Sequence, residues 1–276
     1  MLEVENLTKR YGAFAALDGV SFRARHGRVL GFLGPNGAGK STTMKIVTGF
    51  GAKSGGSVRV CGLDADENPQ EVKRHIGFLP EDTPLPAHMT VAEFLEYSSD
   101  LKKVPKRERA GGTAKIVEMT GISHVCGRLI RNLSKGYRQR VGIAQALIGF
   151  PEVLILDEPT SGLDPSQLIE IRALVRELGK SHTLLFSSHI LSEVESVCDD
   201  VVIIHRGRVL ASGTPAELTG AKGGAKYTLT LGEGADAEAV MQALAGFAGV
   251  RLSPVLPSLE DTFVRLIAGA DREKAE

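Results

Sequence analysis

Cysteine is scarce in this chain, neither sign of charge is in excess, and long apolar runs are missing. Each shortage narrows what the protein can be. Among 276 residues only Cys61, Cys126 and Cys198 carry a thiol. They stand far apart, without the spacing of a disulfide framework or a metal site, and fit a reducing interior in which they fill core or surface positions. Lys plus Arg and Asp plus Glu each total 33, a formal charge of zero. No global electrostatic grip on nucleic acid or acidic lipid is expected, so partners must be chosen by shape and local patches. No stretch approaches the roughly 18 apolar residues of a membrane span, and Glu3 and Glu5 stand where a targeting segment would have a basic start and an apolar stretch. A cytoplasmic chain that does not itself cross a membrane is expected. At 42% apolar residues, the length suffices for one large domain with a true core and a small appendage.

What is present has a clear order. Leu2 to about Ala24 alternates apolar and polar residues in β-type runs broken at Tyr11-Gly12, which predicts an antiparallel sheet. Residues 29–33 form an apolar strand entering a Gly-rich turn, and 57–60 and 76–79 also read as strands. From about 88 to 149 the pattern is helical, an insertion between strands. Short continuous apolar runs return at 153–156, 183–186 and 201–204, separated by helical stretches, which predicts a parallel sheet with crossovers and an α/β core. Gly220, Gly223 and Gly224 form a soft joint. Beyond it, 226–231, 235–246, 250–255 and 258–267 read strand, helix, strand, helix. The predicted division is therefore 1–219 for the main domain and 225–276 for a small α+β appendage.

Gly34-Pro35-Asn36-Gly37-Ala38-Gly39-Lys40-Ser41 fits G-x-x-x-x-G-K-[ST] between a strand and a helical pattern, the context a phosphate-binding loop requires. Its glycines let successive backbone N–H groups wrap a β-phosphate with no Cβ in the way. Lys40 suits the β and γ oxygens, Ser41 a Mg²⁺ ion, and Thr42 extends the donor set. The apolar run 153–156 ends in Asp157 and Glu158, at the carboxyl edge where α/β sheets bind ligands. Asp157 suits the metal shell, through water or directly. Glu158 suits a general base or a polariser of attacking water. The segment 133–140, LSKGYRQR, pairs the small hydroxyl of Ser134 with Gly136 at the expected start of a helix, where free N–H groups and the helix dipole hold an anion. It is a second phosphate site. His189 in SSHILSE also falls just past a sheet strand, while the other histidines read as structural.

In that order these segments resemble the motifs of ATP-binding-cassette ATPases, and the resemblance spans residues 1 to about 218. It implies a P-loop NTPase fold: a RecA-like sheet plus an antiparallel β subdomain, with an inserted helical subdomain at about 88–149 and a small C-terminal α+β appendage. ATP and Mg²⁺ are the implied cofactors. Ser134 and Gly136 would complete the nucleotide site of a partner subunit. His189 matches the family's switch histidine, and Ser161 to Asp164 its D-loop, although SGLD alone would pass as a turn before Pro165. Tyr11 is either the adenine-stacking residue or an aromatic packed in the antiparallel sheet. Glu81 stands where most of the family carries a metal-reaching glutamine, and reads either as an altered Mg²⁺ ligand or as an exposed loop acid. Lys135 and Tyr137 replace the commonest Gly and Gln of the signature octet.

FLPED, LDPSQLIEIR and the terminal SLEDTFVRLI look like the exporter branch, similar to multidrug, polysaccharide and gliding-motility-associated ATP-binding proteins. The implied protein is the ATP-hydrolysing subunit of a transporter, peripheral on the inner face of the cytoplasmic membrane, a homodimer or heterodimer serving a separate transmembrane permease and no nucleic acid. An importer subunit or a soluble ATPase of the same class is the competing reading.

Overall fold

The computed structural model describes residues 1–219, 226–230 and 251–255. Strands β1 (Leu2–Tyr11) and β2 (Phe14–Ala24) form a hairpin closed by Gly12 and Ala13, with Tyr11 paired to Phe14. Alternation decides its faces: Leu2, Val4 and Leu7 of one strand and Leu17, Val20, Phe22 and Ala24 of the other are buried. Next come β3 (Arg28–Leu33), α1 (Lys40–Val47), β4 (Gly55–Val60) and β5 (Leu63–Asp64). β4 adds to the free edge of β1, and β5 folds back on it through Cys61 and Gly62, both at positive φ, to give a four-stranded antiparallel sheet ordered β2-β1-β4-β5.

The chain continues through α2 (Pro69–His75) and β6 (Ile76–Leu79) into a helical block of α3 (Val91–Leu101), α4 (Lys106–Met119) and α5 (Lys135–Leu147). Thr90 and Glu93 form a reciprocal capping box that starts α3 sharply. At its other end, Lys102 donates to the carbonyls of Ala146 and Ile148, fastening α3 to the carboxyl terminus of α5. The remaining elements of this part are β7 (Val153–Asp157), α6 (Pro165–Gly179), β8 (Thr183–Ser188), α7 (Leu191–Val197), β9 (Asp200–His205), β10 (Arg208–Gly213) and α8 (Pro215–Thr219).

Six strands form the second sheet in the order β10-β9-β3-β8-β7-β6, parallel throughout except for the antiparallel edge strand β10. β7 and β8 are buried along their whole length, which explains their unbroken apolar runs. The core joins the two sheets, with Phe22 of one and Phe32 of the other in ring contact at 5.1 Å. Consequently β3 lies between β8 and β9, and the carboxyl ends of β3, β7 and β8 open on one edge.

By its internal contacts the chain divides into two compact units, Met1–Pro215 and Ala216–Glu276. In the second, β11 (Lys226–Thr230) and β12 (Arg251–Val255) pair antiparallel. Both strands match the expected ones, and the two helices expected at 235–246 and 258–267 lie outside the described residues. Among the described residues, no helix is long and apolar enough to cross a membrane.

Candidate functional site

The loop after β3 is shaped by close approach. A Cβ on Gly34 would run into the carbonyl oxygen of Ile204 on β9, so only glycine lets the loop turn against that strand. Gly37 and Gly39 hold φ of +79° and +110°, and Ala38 between them is buried. Pro35 is half-buried, and Asn36 is exposed. α1 then begins at Lys40, with exposed Ser41 and half-buried Thr42 in its first turn, where helical N–H groups lack intrahelical partners.

Lys40 is buried, and its Nζ donates to the carbonyl of Gly34 at 2.7 Å and lies 3.9 Å from Glu158 Oε1. Burial lowers its pKa, against the pull of Glu158, Asp157 and Glu81. Asp157 and Glu158 close β7, both buried. β8 runs alongside in register, with Asp157 opposite Ser187. The Ser187 hydroxyl donates to Asp157 Oδ1 and accepts the backbone N–H of Glu158 at 2.9 Å. Glu158 leaves the strand at φ +49°, a left-handed conformation that costs a non-glycine residue about 1 kcal/mol or more and is kept where the surroundings enforce it. Its Oε2 sits 2.7 Å from Nδ1 of His189, the residue just past β8.

These carboxylates sit poorly together without a cation. Burial first, and Glu158 next to it, raise the pKa of Asp157, opposed by the Ser187 hydrogen bond and Lys40. Glu81, exposed in the bend after β6, is likewise raised, by desolvation and then by Glu158, Asp157 and Asp82. Acids that repel one another beside the Lys40 ammonium fit a divalent metal with oxygen ligands, and Asp157, Glu81 and Ser41 are the residues available to hold it.

The remaining expected residues lie elsewhere on the same unit. Ser134 caps α5 and its Oγ accepts from the N–H of Tyr137 at 3.4 Å. A Cβ on buried Gly136 would come within 2.5 Å of Gln167 Cδ on α6, and Lys135 Nζ fills the space beside Gly162. The neighbours of the octet are thus the Asp164 loop and its helix, a contact the sequence did not announce. Asp164 caps α6, accepting from Gln167 N–H at 2.9 Å and from the Ser166 hydroxyl at 2.7 Å, which lowers its pKa. Tyr11 is 58% exposed at the end of β1, with Lys9 Nζ 4.8 Å from its ring centroid. It is therefore not a packed sheet aromatic.

Sequence reasoning also passed over Ser187, whose place follows only from the pairing of β7 with β8. The cysteines, unremarkable by spacing, include one with metal-type neighbours in space. Cys61, His75 and Glu152 have ligand atoms within 4.8 Å of one another, and His75 Nδ1 and Glu152 Oε2 are 2.8 Å apart.

A Gly-rich loop entering a helix at Lys40, with Asp157, Glu158 and His189 at the carboxyl ends of two adjoining parallel strands, defines a P-loop nucleotide-hydrolysing protein. A family model described as ABC transporter matches residues 17–161, and the chain belongs to that family. It is 37% identical to the bacitracin transport ATP-binding protein BcrA of Bacillus licheniformis over 212 residues, 76% of this chain and 68% of that protein. It is 36% identical to the Nod factor export ATP-binding protein I of Ralstonia nicotianae, covering 79% of this chain and 68% of that one. A solved structure of an ATP binding subunit of an ABC transporter superposes with a TM-score of 0.75 at 27% identity, covering 97% of this chain and 99% of the other. The protein is the ATP-binding, ATP-hydrolysing subunit of an ABC transporter. Subunits of this family dimerise and work with transmembrane components at the membrane.

Proposed function

We propose that the chain energises export across the cytoplasmic membrane from its inner face, as a dimer that closes around two ATP molecules and drives a separate permease. The observation that carries the reading is the cluster at one sheet edge, where Glu158 is bonded to His189 and faces Lys40, a base held beside a phosphate-binding loop. In this reading Gly34 to Ser41 and Thr42 cradle the phosphates and Tyr11 stacks on adenine. Ser134 and Gly136 of one subunit cap the nucleotide of the other, and Asp164 lies between the two sites. Mg²⁺ held by Ser41, Asp157 and Glu81 would neutralise phosphate charge. Lys40 neutralises the γ oxygens, Glu158 takes the proton of the attacking water, and His189 orients Glu158 through Nδ1, leaving Nε2 for the γ-phosphate.

Because the γ-phosphate would bridge two chains, hydrolysis removes the contact that favours closure. Glu81 and the helical block are the parts offered to the permease, and residues 225–276 are an accessory domain. Export is favoured by the name of the relative called a Nod factor export ATP-binding protein. The test is Glu158→Gln, which keeps shape and hydrogen bonding and removes the base. With Mg-ATP it is expected to form a stable dimer by light scattering, with turnover reduced about 100-fold or more. A variant that binds ATP yet stays monomeric at millimolar nucleotide overturns the sandwich.

A further inference from the structure

α7 carries an acid to which no motif assigns a role. Glu193 lies in the first turn of that helix and is fully buried. Its Oε2 accepts two hydroxyl hydrogen bonds, from Thr160 Oγ1 at 2.6 Å and from Ser188 Oγ at 2.8 Å. Thr160 follows Glu158 by two residues, and Ser188 immediately precedes His189. Ser188 Oγ in turn accepts the N–H of Ile190 at 3.0 Å, on the far side of His189. One carboxylate oxygen therefore holds the side chains of residues near both members of the Glu158–His189 pair, from a third element.

The other oxygen is loosely engaged. Glu193 Oε1 lies 3.5 Å from a terminal guanidinium nitrogen of Arg172 on α6. A made hydrogen bond between such charges would be about 2.7–2.9 Å. Glu193 Oε1 and Arg172 Nε are both buried and have no hydrogen-bond partner. Oε1 thus stands less than an ångström beyond bonding distance of that terminal nitrogen, and Nε of the same guanidinium is unbonded as well. Buried charge left half-paired is unfavourable, so a small approach of α6 that closes the Arg172–Glu193 contact is favoured whenever something else steadies that helix. α6 is the helix that begins at Asp164.

We propose that Glu193 is a positioning residue for hydrolysis, and that its slack contact with Arg172 tightens when the Asp164 loop is seated, aligning Glu158 and His189 only in the closed assembly. This rests on the hydrolytic roles of Glu158 and His189 given above. It adds a route by which the seating of one segment reaches the base, through the contact between Arg172 of α6 and Glu193 of α7.

The experiment compares Arg172→Met, which keeps the aliphatic stem, and Glu193→Gln, singly and together, in the full chain with Mg-ATP. Each single change is expected to lower kcat about tenfold while KM and the nucleotide Kd stay within about twofold, and the double variant is expected to be no slower than the slower single one. Wild-type kcat in Arg172→Met, losses that multiply in the double variant, or a raised KM at unchanged kcat would each overturn the proposal. Should Glu193→Gln not fold, Thr160→Val removes one of the two hydroxyl ties at nearly constant shape and is expected to lower kcat alone. Glu158→Gln runs beside them: full turnover there sinks the hydrolytic assignment itself, whereas a dead Glu158→Gln beside a fully active Arg172→Met sinks only the brace.

Discussion

Ser187 uses one oxygen twice, as donor to Asp157 and as acceptor for the N–H of Glu158. A hydroxyl bridging two consecutive residues fixes the turn that carries Glu158 into its left-handed conformation. Ser187→Ala leaves a buried carboxylate oxygen and a buried N–H unmatched. The expected loss is about 2 kcal/mol in urea unfolding, together with slower ATP turnover because Glu158 is no longer held toward His189. A stability matching the parent would mean that another donor replaces the hydroxyl. Residues of this kind are where sequence reasoning stopped. Lys40, Asp157 and Glu158 were legible because their chemistry is bound to a loop register and a strand end. Ser187 and Glu193 were not, since serines and lone glutamates occur everywhere. What singles them out is the register of β8 against β7 and the total burial of one carboxylate.

At the scale of elements, the attachment of α3 to α5 runs through the buried amine of Lys102. Burial lowers the Lys102 pKa from its usual value to about 8. Between that value and the 10.5 of the unfolded chain, the unfolded state holds the proton that the fold has released. The unfolded state then binds more protons, so the fold gains stability as pH rises through this window. Relative to Lys102→Met, the parent should gain on the order of 3 kcal/mol between pH 8 and 10.5, read as the difference between their urea midpoints. A difference independent of pH would show that the carbonyls of Ala146 and Ile148 cancel the effect of burial. The helical block and the parallel strands were legible because period and length agreed. α2, β5 and β10 were missed for local reasons. α2 buries only Val72, β5 has two residues, and β10 is an edge strand with no fully buried position. The expected ends at 186 and 204 also fell short, because β8 finishes in two serines and β9 in a histidine. An apolar run stops before the hydrogen-bonded ladder does.

Over the whole molecule, all of the segments proposed to handle phosphate fall in the unit Met1–Pro215. A chain ending after Thr219 is expected to keep its ATP Kd within about twofold, measured with a fluorescent nucleotide, since every group proposed to touch nucleotide is retained. A much weaker Kd would give the second unit a part in the site. The packing of Gly136 on Gln167, with Lys135 beside Gly162, has a wider consequence. The octet and the Asp164 loop cannot drift apart without opening that contact. In the proposed dimer, each chain therefore presents a key with two teeth cut from one blank. Selection acting on either tooth reshapes the other, so substitutions in the octet and in residues 162–167 should travel together through the history of such proteins, the pair being inherited as a single trait.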